Sequence, residues 1–461
     1  MSFPRYPKYK ASGVEWLGDV PEHWTSRPLR SIGFAYGGLT GKTADHFTED
    51  GPYTSHFIPF TNILNNTVVR SDRLDPVQVE PGDVQNEVRT GDLLFLMSSE
   101  DYDYLGFSAV VRQIPAGTLL NSFCKGFRPT APDVSSEYLN YFCRSSFGRA
   151  LISRLGFGFT RINLRTGALL SIPVLFPTLA EQRAIAAFLD RETKKIDELV
   201  AEQERLIELL KEKRQAVISH AVTKGLDPAA PMKPSGVVWL GEVPAHWEMR
   251  RLKQACTATP SNVDKKSHEG EEQVRLCNYV DVYYNDEITE AIDFMVATAS
   301  DAQIAKFTLR AGDTIITKDS ETADDIAIAA FVPRDLPGVV CGYHLSMIRP
   351  KRSADGRFIK WLFGSRYAKG CFAVRANGLT RVGLGQHDLE NIDFAFPPLE
   401  EQRAIAAFLD RETDKIDTLV TQAESVISLL IERRSALISA AVTGQIDVRN
   451  AVPSANPTEA A

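Results

Sequence analysis

Two short segments of this 461-residue chain carry side chains suited to holding a polyanion. Gly158-Phe159-Thr160-Arg161 and Gly378-Leu379-Thr380-Arg381 repeat glycine, threonine and arginine at the same spacing, and Asn163 and Asn377 flank them. A guanidinium donates two parallel hydrogen bonds, which fits a phosphate or a guanine edge, and a threonine hydroxyl fits a phosphate. A residue present in both copies suits a group that both contacts share, such as a phosphate. A structural ion pair is the alternative for both arginines. A second pair of segments, Met97-Ser98-Ser99-Glu100 and Thr317-Lys318-Asp319-Ser320, differs between the copies, as base readers should. Ser98, Ser99, Lys318 and Ser320 are therefore expected on the reading surface, with a plain polar hairpin as the alternative. Lys125, Arg128, His344 and Arg349 are weaker candidates, since each can sit on the solvent face of a strand.

No comparable case exists for catalysis or metal binding. The six cysteines form no CxxC pair and read as small buried residues or free thiols. The eight histidines show no HExxH or paired spacing. Gly37-Gly38-Leu39-Thr40-Gly41-Lys42-Thr43 resembles a phosphate loop, but Tyr36 stands where that motif needs glycine. No methyl-donor loop or nuclease-like carboxylate–lysine cluster stands out. The chain carries 52 basic and 59 acidic residues, a net charge of −7, which disfavours a stand-alone non-specific DNA clamp and leaves room for a local patch. The start, MSFPRYPKYK, lacks the apolar core of a signal peptide. No apolar run reaches the roughly 18 residues of a membrane span. A cytoplasmic protein is expected.

The elements that must position these residues are written twice. EQRAIAAFLDRET at 181–193 returns without change at 401–413, and SGVEWLGDVPEHW at 12–24 returns as SGVVWLGEVPAHW at 235–247. Between these blocks the halves diverge, apart from marks such as GDLLF against GDTII and Arg128-Pro129 against Arg349-Pro350. A constant frame therefore carries two different contents.

The constant segments predict two long helices. Ile185, Leu189, Ile196, Leu199, Leu206, Leu210 and Val217 form an apolar seam of the coiled-coil kind, skipping Glu192, Gln203 and Lys213. Ile405, Leu409, Ile416, Leu419, Val426, Leu430 and Leu437 repeat it, skipping Glu412, Ala423 and Arg433. Thr178 with Glu181 fits a capping box, whereas Pro398 replaces the threonine in the second copy; Gly225 and Gly444 are stops. A helix of this length with one apolar stripe needs a partner. Each can pack on its own globular domain; the order domain–helix–domain–helix also allows the two helices to pair antiparallel, which relates the domains by a pseudo-twofold axis. Residues 181–224 carry nine acidic and nine basic side chains, a balanced solvated face.

The variable segments read as mixed α/β. Strand-like runs are FIPFTNI, DLLFLM, FSAVVRQI, VRLCNYVDV, TIIT, IAIAAFV and GVVCGYHLSMI; helical runs are 137–152 and 357–372. They do not alternate regularly enough for a doubly wound sheet.

The doubled SGVxWLGxVPxHW and PxLxEQRAIAAFLDRET blocks resemble the specificity subunit of type I restriction–modification systems, over nearly the whole chain. The resemblance implies two target recognition domains, each reading one half of an interrupted double-stranded DNA target, related by pseudo-twofold symmetry and separated by two long antiparallel coiled-coil helices. It assigns 1–178 and 226–398 to the recognition domains, 179–225 and 399–445 to the spacer helices, and 446–461 to a flexible tail. The helices are implied to dock two methylation subunits, with restriction subunits joining. The resemblance implies that the chain itself performs no chemistry, and S-adenosylmethionine, ATP and Mg are expected only on the partners. Within the constant frame, Trp16, Trp24, Gln182, Arg183, Trp239, Trp247, Gln402 and Arg403 are the expected subunit-interface residues. Internal packing is the alternative for the two His-Trp pairs, His23-Trp24 and His246-Trp247.

Overall fold

The start of each long helix is built by side chains from the constant frame. In a computed structural model of the chain, which describes residues 3–13 and 17–451, α1 spans Leu179–Lys224 and α2 spans Leu399–Val442. The Thr178 hydroxyl accepts the Glu181 amide at 3.3 Å, as a cap should, but the Glu181 carboxylate does not turn back on the helix. It takes the Trp24 indole N–H at 3.2 Å and lies 2.9 Å from the His23 ring. At α2, where Pro398 supplies no side-chain cap, its carbonyl accepts the amides of Glu401 and Gln402, and Glu401 repeats the contacts with Trp247 (3.0 Å) and His246 (2.7 Å). Gly225 and Gly444 close the helices in the left-handed region, φ 80° and 74°.

The chain divides into two compact units, residues 1–202 with 425–461, and residues 203–424. Each contains one variable domain, the first part of one long helix and the last part of the other. In the first unit α1 and α2 run antiparallel, with the Arg434 Nε 2.9 Å from Asp197, and Gly444 of α2 lies against Pro21 and Trp24 beside the start of α1. In the second unit Arg214 pairs with Asp417 at 3.0 Å, and Gly225 of α1 lies against Trp247 beside the start of α2. These are equivalent pairs with the helices exchanged.

The seam differs from the predicted one after Ile196. The next step is four residues rather than three, so Ile207, Leu210 and Ile218 are buried, with Val200, Gln203 and Arg214 half-buried, while Leu199 and Leu206 are 45% and 42% exposed. In the second copy Leu419 and Val426 are exposed and Ala423 and Ile438 buried. Before Ile196 the seam also gains a buried threonine, one residue beyond the predicted Glu192 or Glu412. Thr193 and Thr413 sit in the seam because their hydroxyls donate to the carbonyls of Leu189 and Leu409, both at 2.7 Å, so no polar atom is left unpaired.

Both variable domains share one plan. A four-stranded antiparallel sheet is ordered Gly33–Gly37, Cys124–Pro129, Leu93–Leu96, Ser108–Val110 in the first, and Cys256–Pro260, Leu345–Pro350, Thr314–Thr317, Ala329–Phe331 in the second. A three-stranded sheet has Thr54–Ile58 or Glu272–Cys277 at its centre. Two predicted strands turn helical part-way, FIPFTNI after Pro59 and VRLCNYVDV after the Asn278 cap, and FSAVVRQI and IAIAAFV keep only Ser108–Val110 and Ala329–Phe331 as strand. GVVCGYHLSMI is two strands, not one. The predicted helices 137–152 and 357–372 each break in two, at Ser145 and Ser365, whose hydroxyls cap the second piece by accepting the amides of Gly148 and Ala368.

The shared Gly-Asp and Arg-Pro marks meet inside this sheet. Arg128 grips Asp92 with two bonds of 2.8 and 2.7 Å, and Arg349 grips Asp313 at 2.7 Å twice. Both carboxylates are 1% exposed. The predicted tail is packed up to the last described residue: Val448 is buried, and the Asp447 amide donates to Pro4. Residues 452–461 of that prediction lie outside the described residues.

Candidate nucleic-acid interface

Each variable domain brings its two divergent or arginine-bearing segments to one edge. In the first, Ser98–Ser99 pairs with Ile162–Leu164, which folds back on Gly156–Phe157. The four residues between are the Gly158–Arg161 turn. In the second, Asp319–Ser320 pairs with Val382–Gly383, and Asn377 bridges to Gly383 across the Gly378–Arg381 turn. Glycine is required at both turns. Its φ is 118° at Gly158 and 147° at Gly378, and an added Cβ would lie 2.2 and 1.9 Å from the carbonyl oxygens of Arg161 and Arg381.

The arginines are exposed and held at their flanks. Arg161 donates from Nε to the Ser98 hydroxyl at 3.1 Å and lies 5.1 Å over the Phe123 ring. Arg381 contacts the Asp319 carboxylate at 3.1 Å and lies 5.9 Å from the Tyr279 ring. Asp319 also holds the His344 ring at 2.8 Å. Lys318 lies 4.1 Å over Tyr343 and donates to the Ser261 carbonyl at 3.1 Å; burial pushes its pKa down, with Asp319 opposing. Thr160, Thr380 and Asn377 are exposed; Asn163 is half-buried, and the amides of Asn163 and Asn377 brace the turns by donating to the carbonyls of Arg161 and Arg375.

Several expected readers face inward instead. Ser98, Ser99 and Ser320 are 9% exposed or less, because they form the strand under each arginine. Arg128 and Arg349 serve the buried ion pairs described above. Lys125 is half-buried, on the strand beside Gly37. Lys42 of the phosphate-loop decoy pairs with Asp83. Phe123, Tyr279 and Asp319 were not singled out by sequence reasoning as readers. Asp319 lay inside a flagged segment, and the two aromatics carried no pattern of their own.

The expected interface residues of the constant frame divide the same way. Trp24 and Trp247 are fully buried as helix-start partners. Gln182 is fully buried, accepting the Ser135 amide (2.9 Å) and donating to the Asp133 and Pro177 carbonyls; Gln402 repeats this with Asp355, Ser353 and Pro397. These four side chains join domain to helix within the chain and offer no surface to a partner. Arg183, Arg403 and Trp239 face outward, Trp239 being 64% exposed. Trp16 lies outside the described residues.

The profile described as Type I restriction modification DNA specificity domain matches residues 89–209 and 244–427, so both arginine-bearing edges and both helix starts fall within it. The chain belongs to this DNA-specificity family. The specificity subunit of the type I restriction enzyme StySPI of Salmonella potsdam is 23% identical over 439 residues, covering 93% of this chain and 90% of that protein. The EcoKI specificity subunit of Escherichia coli (strain K12) is 22% identical over 441 residues, with the same shares of each chain. Two solved structures have the same fold. One, described as the structural basis underlying complex assembly and conformational transition of the type I R-M system, has a TM-score of 0.70 and 16% identity, covering 92% of this chain and 99% of its own. The other, the HsdS subunit from Thermoanaerobacter tengcongensis, has a TM-score of 0.56 and 17% identity, covering 92% and 98%. Among the described residues there is no group of three or more potential metal ligands, and no helix is long and apolar enough to cross a membrane. All six cysteines of this specificity chain are buried, and burial pushes the Cys124, Cys143 and Cys256 thiols up to about 12.

Proposed function

We propose that this chain is the non-catalytic sequence-reading subunit of a type I restriction–modification complex. Each variable domain reads one half of an interrupted double-stranded target. The long helices set the gap between half-sites and, with Arg183, Arg403 and Trp239 among the outward groups, dock two methylation subunits, to which restriction subunits add. S-adenosylmethionine, ATP and Mg belong to those partners, and the complex works in the cytoplasm. The observation that carries this reading is the recurrence of one exposed threonine–arginine turn in both domains, each beside a strand of different chemistry. A shared turn suits phosphates and a divergent neighbour suits bases.

Arg161→Ala and Arg381→Ala in the assembled complex each test it. Each is expected to weaken binding by about 1–3 kcal/mol, with loss of methylation at the same target. Unchanged affinity and methylation in both variants overturn the assignment. A genome-wide methylation map with and without the gene should lose one two-part motif. Deleting the heptad 203–209 should change the gap or abolish assembly; altered half-site bases with an unaltered gap would contradict the spacer role.

A further inference from the structure

Phe159 and Leu379 occupy the tips of the two arginine-bearing turns, 103% and 106% exposed. Both side chains are apolar, and among the described residues nothing covers them. Leaving a side chain of this kind in water forgoes the free energy of its burial. The turns that present them are tight, because only glycine permits the close approach of Gly158 to the Arg161 carbonyl and of Gly378 to the Arg381 carbonyl. The tips therefore project as narrow apolar points on two-stranded stems. Directly behind each stand a threonine hydroxyl and an exposed guanidinium. Identity changes between the copies, from phenylalanine to leucine, while apolar character and position do not.

We propose that Phe159 and Leu379 are wedges that press between base-pair steps of the half-sites, partly unstacking one step each, while Arg161 and Arg381 hold the flanking phosphates. The proposal rests on the DNA-reading function above. Phenylalanine and leucine are side chains that DNA-bending proteins insert in this way, and pyrimidine–purine steps open most easily. An apolar socket on a partner protein is the competing occupant. The groups that follow each tip disfavour it: Thr160 and Arg161, and Thr380 and Arg381, suit a polyanion beside the point, with Asp319 offsetting part of the Arg381 charge.

The test uses the full-length chain with its methylation subunits and duplexes of the cognate target. 2-Aminopurine is placed in turn at each position of either half-site. One position per half-site should brighten several-fold on binding. Phe159→Ser should abolish the rise in one half-site only, Leu379→Ser in the other only, each with roughly tenfold weaker binding, within the few kcal/mol at stake in an unstacked step. Unchanged fluorescence in the wild-type complex overturns the wedge, as does a rise that survives both substitutions. If Arg161→Ala still weakens binding in that case, the DNA-reading function stands without the wedge; if it binds like wild type, both fall. Loss of the methylation subunits on purification of Phe159→Ser and Leu379→Ser assigns the tips to a protein contact and overturns the proposal.

Discussion

Arg161 and Arg381 stand on equivalent hairpins in settings of different charge. A hydroxyl and a phenylalanine ring hold the first; a carboxylate shared with His344, and a tyrosine ring, hold the second. The backbone beneath is alike, down to the strand pairing and the obligatory glycine. The first arginine therefore keeps its full charge for an anion, whereas Asp319 offsets part of the charge of the second. One scaffold can thus carry arginines in different electrostatic settings, provided the groups that fix the scaffold lie elsewhere and are kept.

The largest expected effect tests whether the scaffold is common to both domains. Asp92→Ala and Asp313→Ala each leave a half-buried arginine without its carboxylate and should each destabilise their domain by about 2–3 kcal/mol, read by urea unfolding of the full chain. Costs that differ widely between the two would break the equivalence. Next come the helix starts. Trp24→Phe removes the indole donor from Glu181, whose side chain is 3% exposed, and should cost about 1–2 kcal/mol; Trp247→Phe should cost less, because the Glu401 side chain is 29% exposed and water can replace the bond. Equal costs would mean that burial is not what separates them.

A smaller effect sharpens the difference between the two arginine edges. Asp319→Asn removes the competing carboxylate, so salt dependence of DNA binding should steepen by about one phosphate contact, a change of roughly 0.9 in slope. Ser98→Ala removes only a neutral partner, should cost under about 1 kcal/mol in affinity, and should leave the slope unchanged. Matching slopes for both variants would erase the electrostatic contrast. The smallest effect is none at all. With their pKa raised by burial, Cys124, Cys143 and Cys256 should resist alkylation at pH 8 in the folded chain; labelling on mixing would show that these sites open readily.

The long helices, their glycine stops and the doubled frame were legible because each depends on residues close in sequence or on a repeat visible by eye, whereas the Glu181 half of the expected capping box was not formed, its carboxylate being taken by Trp24 and His23. The arginine turns were legible for the same reason. The seam register was not, since a threonine hidden by a bond to its own helix looks polar to any hydropathy pattern. Arg128 and Arg349 read as surface candidates because their partners, Asp92 and Asp313, lie 36 residues away on another strand. Trp24, Gln182 and their counterparts read as interface for a similar reason: repetition marked them as important without saying to whom they bind.

Sequence by itself determined that this chain is a duplicated frame with two dissimilar inserts, and that each insert ends in a glycine–threonine–arginine turn. Local rules suffice for that, because helix capping, glycine turns and apolar periodicity act within a few residues. Only the tertiary structure decided which charges face solvent and which neutralise one another. Burial of Asp92 and Asp313, and exposure of Arg161 and Arg381, follow from strand pairings between distant segments, and an ion pair forms only where the fold brings both partners within a few ångströms.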